Sequence, residues 1–189
     1  MIKYNVHDVF QRMDNDKVKN ISLKMSLPAA LILFNVDGGI NISMAIRSAA
    51  LFGFSDVYIV GKRKRDKRGD VGACNYIRVH QVDSIDTNYF EENHLLPIII
   101  EQNGQPLEEM DFRQYFPNKN GISSGISSKV AFIVGSEQEG VPEYIKKDLP
   151  IITISQYGVM RSFNVAMASS IVMYEYTRQW RKMILKDNL

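Results

Sequence analysis

Six apolar runs rich in Ile and Val recur along this chain, at 29–36, 56–60, 77–82, 96–101, 129–134 and 151–155. Their interiors are apolar at successive positions, the pattern of strands buried on both faces. Helical patterns at 42–52, 70–76, 86–92 and 142–148 fill intervals between them. This alternation predicts an α/β fold, a mainly parallel sheet with helices on both faces. At 189 residues the chain is sized for one domain with a substantial core. A single domain over 1–189 is therefore expected, with 1–28 an N-terminal helical extension, patterned at 2–20, packed on that core. The segment 111–128, polar and rich in Gly and Ser, reads as a long surface connection. The final helix, expected over 163–186, is apolar or small almost all the way round at its start. Its Ala166, Ala168, Ser169 and Ser170 would admit another backbone closely, in the core, at a dimer interface, or both.

Composition narrows the classes. The apolar runs are far too short to cross a bilayer, and no signal-peptide pattern follows Met1, so a cytoplasmic protein without membrane contact is expected. Cys74 is the only cysteine, and His7, His80 and His94 share no ligand spacing, so no metal is expected. The net charge of +2 does not announce nucleic acid, but the run KRKRDKR at 62–68 concentrates positive charge locally. It is either a solvated loop at a strand end or a phosphate-contacting loop.

Three blocks could carry chemistry. In GGINISMAIRSAALFGF (38–54), a glycine loop leads to a helix with Asn41 as its expected cap and Arg47 among small and apolar neighbours. Such a helix start can hold an anion, and such an arginine needs a partner or an opening to solvent. In VAFIVGSEQEGVPEYI (130–145), a strand enters a glycine-bounded loop bearing Glu137 and Glu139, the latter expected to be solvated. Val141-Pro142 after Gly140 excludes a P-loop, and the absence of GxGxxG counts against a dinucleotide site. In IITISQYGVMRSFNVAMASSIVMYE (151–175), a strand leads to a polar loop, with Ser162 expected to cap the last helix and Asn164 in its first turn.

In this order and spacing, the blocks resemble the three signature motifs of the SpoU (TrmH-like) branch of the SPOUT RNA methyltransferases, from about 31 to 176. NISMAIRSAALFG resembles the first, IVGSEQEGV the second, ITISQYGVMRSFNVAMASSIVMYE the third. The chain departs from the pattern at Ser43 (usually Gly), Ser155 (usually Pro) and Phe163 (usually Leu). Ser43 would limit phosphate approach at the helix start, and Ser155 and Phe163 would reshape the cofactor pocket.

The resemblance implies a C-terminal deep trefoil knot, the SPOUT fold, an exception to unthreaded topology. It implies S-adenosyl-L-methionine as cofactor, bound by loops holding Glu101, Gln102, Asn103, Gly135, Ile154 and Phe163. It implies a homodimer built through the first-motif and last helices, and transfer of methyl to an RNA ribose 2′-hydroxyl. Arg47 would be the leading catalytic residue, with Asn41, Glu137, Ser162 and Asn164 orienting the reactants. No separate RNA-binding domain is expected, so RNA (tRNA favoured over rRNA) would be gripped by Lys62, Arg63, Lys64, Arg65 and Arg68. The alternatives are a catalytically inactive RNA-binding dimer of the same fold, or an oxidoreductase that would bind NAD.

Overall fold

Strand β1 (Leu27–Phe34) forms the middle of the sheet, with β2 (Phe54–Val60) beside it. Beyond them in the chain come β3 (Arg78–Val82), β4 (Leu95–Pro106), β5 (Lys129–Val134) and β6 (Ile151–Thr153). The computed structural model describes residues 5–116 and 128–187. Within them the sheet order is β3-β2-β1-β5-β4-β6, every pairing parallel. The α/β expectation is met. Period-two alternation splits β1 between two cores: Ala29, Leu31 and Leu33 enter one, Ala30, Ile32 and Phe34 the other.

The first core is covered by α2 (Gly39–Leu51) and α6 (Val165–Asp187), through Ile42, Ala45, Ile46 and Ala49 of α2 and Val172, Met173 and Tyr176 of α6. The second is covered by α4 (Thr87–Glu92) and α5 (Glu143–Lys146), through Phe90 and Ile145. Tyr176 stands among Phe54, Phe112, Phe116 and Phe132, edge to face at centroid distances of 5.4–5.9 Å. Each such pair adds about 0.5–1.5 kcal/mol beyond its area burial.

The structure corrects several expectations. The N-terminal helix is α1 (Asn15–Lys24), capped by Asp14, which accepts from Lys17 N at 2.7 Å. Only a 3-10 turn at Asp8–Phe10 precedes it in the described residues. The pattern at 70–76 is broken by Val71 (φ 49°) and Gly72 (φ 85°) into α3 (Lys67–Asp70) and a 3-10 turn at Ala73–Asn75. The connection after β4 is not wholly superficial: Phe112 is fully buried, its N–H donating to Gln179 Oε1 at 2.9 Å. Residues 117–127 of that connection lie outside the described residues. The small residues of α6 serve contact within the chain. Ala166 and Ser169 are buried, and Ser170 Oγ donates to Ser48 Oγ of α2 at 2.8 Å.

Among the described residues no helix is long and apolar enough to cross a membrane, and no group of His, Cys, Asp or Glu could hold a metal.

Candidate functional site

All six strands run the same way, so the loops leaving their C-terminal ends gather at one edge of the sheet, where α/β folds bind ligands. There an open cleft of about 1260 Å³ is lined by the C-terminal half of β4, by β6, and by the loops after β5 and β6. This exceeds the ~300–1,000 Å³ of most small-molecule pockets, leaving room for a cofactor and part of a second substrate. Glu101, Gln102, Asn103, Gly135, Ile154 and Phe163 all line it, as do Glu137 and Ser162.

Close backbone approach shapes two of its walls. A Cβ on Gly104 would lie 2.5 Å from the Ile151 carbonyl oxygen, so β4 can arch around β6 only with glycine there. Asn103, just before it, takes φ 63°. The loop after β5 is pinched shut, Gly140 N donating to Ser136 O at 2.9 Å and Glu139 N to Ser136 Oγ at 3.1 Å. Any side chain on Gly135 would collide with the Gly140 backbone.

Charge in the cleft is arranged rather than diffuse. Lys146 Nζ lies 2.7 Å from Glu101 Oε2 and 3.2 Å from Glu143 Oε1. The Glu101 carboxylate raises the Lys146 pKa above its ordinary value, against burial, with Glu143 assisting. Gln102 Nε2 donates to the Arg161 carbonyl at 3.0 Å, tying the β4 wall to the loop after β6. Arg161 itself lines the cleft.

The first and third motifs meet the second through one amide. Asn41 Nδ2 donates to Glu137 Oε1 at 2.9 Å, and Asn164 Nδ2 donates to Asn41 Oδ1 at 3.0 Å. The capping roles differ from expectation. The helix α2 begins after Gly38, so Asn41 lies in its first turn and is free to bridge. Asn164, not Ser162, caps α6, its Oδ1 accepting from Ala166 N at 3.0 Å and Met167 N at 3.4 Å.

Arg47 is exposed, has no hydrogen-bond or ion-pair partner among the described residues, and does not line this cleft. It shares the outer face of α2 with exposed Ile40, Met44 and Leu51, while α6 exposes Met167 and Tyr174.

Two departures from the motif pattern have little to do with the cleft. Ser43 is fully buried beside Gly69 and does not line the cleft. Ser155 Oγ turns to Glu108 and, with Tyr157 Oη at 3.4 Å, holds that carboxyl below its usual pKa. Phe163 does line the cleft, as expected. The basic loop 62–68 packs on the start of α2, Asp66 N donating to Gly39 O at 2.8 Å. Arg65 of that loop pairs with buried Asp70.

Lys146 and Arg161 are cleft residues not singled out from the sequence, and Glu139, expected to be solvated, is exposed at the same cleft. In PEYIKKD, Lys146 looks like any exposed helix lysine, and only the fold carries it to Glu101. Arg161 had a usable signal, a lone cation beside Ser162 in the third motif.

Among solved structures, the TrmH/SpoU tRNA modifying enzyme of A. aeolicus superposes with a TM-score of 0.71 at 19% identity, covering 89% of this chain and 83% of that one. The SpoU methyltransferase AviRb of Streptomyces viridochromogenes, in complex with the cofactor AdoMet, gives 0.65 at 17% identity, covering 83% of this chain and 58% of that one. At these identities the likeness is one of fold. The tRNA (guanosine(18)-2′-O)-methyltransferase TARBP1 of Mus musculus is 32% identical over 77 residues, 40% of this chain and only 4% of that protein. The model of the SpoU rRNA Methylase family matches residues 28–174, from the second residue of β1 into the last motif, and the chain belongs to that family.

Proposed function

We propose that this protein methylates RNA, transferring the methyl group of S-adenosylmethionine to a ribose 2′-hydroxyl, with tRNA as the substrate. The observation that carries this is the Asn41–Glu137–Asn164 bridge, which joins the three family motifs at the rim of one cleft. The cleft residues suit the cofactor. Glycine at 135 and 140 lets the loop after β5 close tightly against itself and Glu101, while Glu101, Gln102, Lys146 and Arg161 offer partners for hydroxyl, ammonium and carboxylate groups. AviRb, of the same fold, binds AdoMet. When bound, S-adenosylmethionine supplies an electrophilic methyl on a sulfonium.

The chain's own groups hold the acceptor in line with that methyl and stabilise charge growing on its oxygen. Arg47 stays protonated and cannot act as base. It binds the phosphate beside the acceptor ribose and offsets the developing negative charge. Because Arg47 does not line its own cleft, this reading includes a homodimer in which α2 and α6 of two copies meet. The exposed Ile40, Met44, Leu51, Met167 and Tyr174 supply the apolar surface for that contact. The family's trefoil threading and a single domain over 1–189 belong to the same reading. The preference for tRNA rests on the relative that acts on tRNA guanosine 18.

Incubation with tRNA and labelled S-adenosylmethionine, followed by mapping of 2′-O-methylated sites, tests the reaction. Arg47→Ala is expected to abolish transfer while cofactor affinity, measured by calorimetry, changes less than about threefold. A fully active Arg47→Ala protein removes Arg47 from the mechanism. A wild-type protein that binds no S-adenosylmethionine overturns the enzymatic reading in favour of an inactive RNA-binding dimer.

A further inference from the structure

The basic run 62–68 divides by residue type. Each arginine is paired with an aspartate: Arg63 Nη2 with Asp37 Oδ1 at 2.7 Å, Arg65 with buried Asp70, and Arg68 Nη2 with Asp66 Oδ2 at 2.6 Å. The Arg68 pair is two-pronged, its Nε also lying 3.0 Å from Asp66 Oδ1, and Asp66 caps α3 by accepting from Arg68 N at 3.0 Å. Lys62, Lys64 and Lys67 are exposed and carry no ion pair among the described residues. Six cations meet three aspartates, so the positive charge this loop shows to solvent is that of the lysines.

The Arg63–Asp37 pair ties the loop to the turn before α2, while Arg65–Asp70 and Arg68–Asp66 fold the run onto itself and α3. Asp37 ends the turn before α2, and its carbonyl accepts from Asn41 Nδ2 at 3.2 Å. That same Nδ2 donates to Glu137 at the cleft. A Cβ on Gly39 would come within 2.7 Å of Lys64 O, and one on Gly69 within 2.8 Å of Ser43 Cβ, so the loop lies directly against α2 at both ends. The loop is thereby fixed in position relative to the cleft instead of waving in solvent. An ammonium on a flexible stem makes a point contact with phosphate and needs no particular orientation, which suits the three free residues to a curved backbone.

We infer that Lys62, Lys64 and Lys67 form the surface that contacts the phosphate backbone of the RNA substrate, and that Arg63, Arg65 and Arg68 act as the frame that positions them. This rests on the RNA-substrate reading above. The test is the salt dependence of tRNA binding, measured with the full chain at several KCl concentrations, with thermal melts confirming that each variant folds. Each phosphate contact contributes about 0.7–0.9 to the slope of log affinity against log salt. The Lys62→Gln/Lys64→Gln/Lys67→Gln protein is expected to lose about 2–3 from that slope and bind on the order of 100-fold more weakly near 0.1 M salt. Its affinity for S-adenosylmethionine should be that of the wild type. Removing a whole pair keeps the net charge, so Asp37→Asn/Arg63→Gln and Asp66→Asn/Arg68→Gln should leave the slope within about 0.5 of wild type. A triple-lysine protein with the wild-type slope, or paired variants that lose as much slope as the lysines, overturns the assignment. A wild-type protein that binds S-adenosylmethionine but no RNA overturns the substrate reading and the assignment with it.

Discussion

Asn41 Nδ2 donates to Glu137 Oε1 across 2.9 Å, joining the first turn of α2 to the loop after β5, 96 positions further along the chain. Both ends of the amide are used, since Oδ1 accepts from Asn164. Asn41→Ala loses both contacts. Asn41→Asp also sets a carboxylate against Glu137, a like-charge contact at hydrogen-bond range. Methyl transfer is expected to fall about tenfold in Asn41→Ala and about 100-fold in Asn41→Asp, a difference of ~1.4 kcal/mol in the barrier. Single-turnover rates check this, and equal rates for the two variants would remove the electrostatic part of the account.

Gly140 takes φ 67°, and a Cβ there would overlap the Glu101 carboxylate. Gly140→Ala therefore carries two penalties. The left-handed backbone costs about 1–2 kcal/mol for a residue with a side chain, and Glu101 must leave its place beside Lys146. We expect the melting temperature to fall by roughly 2–8 °C, given about 2–4 °C per kcal/mol at this size. S-adenosylmethionine affinity should fall at least tenfold by calorimetry. Unchanged affinity in a folded Gly140→Ala protein would place Glu101 outside the cofactor site.

Asp56 is 2% exposed at the start of β2, the opposite end of the strands from the cleft, and binds Arg78, His80, Lys129 and Ser55. Burial alone would raise its pKa, but the hydrogen bonds from Arg78, His80, Lys129 and Ser55 outweigh it and hold the carboxyl well below the usual range. A depressed folded-state pKa contributes stability that is complete above the unfolded value of about 3.9 and is lost as pH falls further. Asp56→Asn should cost about 2–3 kcal/mol at pH 7, less than a fully buried pair because the three cations are partly exposed. It should also flatten the loss of stability below about pH 4. Urea melts from pH 7 down to pH 3 measure both. A variant that loses stability with acid as steeply as the wild type would show that another carboxyl governs the acid limb.

Much of this was legible in the residues. The sheet followed from period and composition, because strands buried on both faces leave an unbroken apolar record such as LPAALILF in β1. Gly135, Glu137, Ile154, Ser162 and Phe163 reached one cleft because they follow the C-terminal ends of the parallel strands β5 and β6, and Glu101–Asn103 join them from the C-terminal half of β4 itself. Three things were not legible. Whether Asn41 caps or bridges depends on where α2 begins, one residue after a Gly38 at φ 77°. The small residues of α6 suit any close neighbour, and only packing shows that α2 is the one they meet. The pairing of Arg63 and Arg65 with aspartates depends on Asp37 and Asp70 folding back from outside the run. Local sequence carries none of these.

Ser43 Oγ is buried on α2 without a hydrogen-bond partner. A helical serine usually returns its hydroxyl proton to the carbonyl four residues back; here that carbonyl, Gly39 O, already accepts from Asp66 N at 2.8 Å. An unpaired buried hydroxyl costs about 1–3 kcal/mol. Ser43→Ala deletes that cost and adds a better helix former, so it should raise stability by about 1 kcal/mol and the melting temperature by roughly 2–4 °C. Methyl transfer should not change, since Ser43 does not line the cleft. Ser43→Val is expected to do the opposite. Gly69 lies so close that a Cβ on it would come within 2.8 Å of Ser43 Cβ, which leaves no room for a branched side chain, and overpacking costs about 1–3 kcal/mol. Calorimetric melts of the two variants read the signs directly. A Ser43→Ala protein less stable than wild type would mean that the hydroxyl has a partner in solution and holds the loop 62–68 to α2.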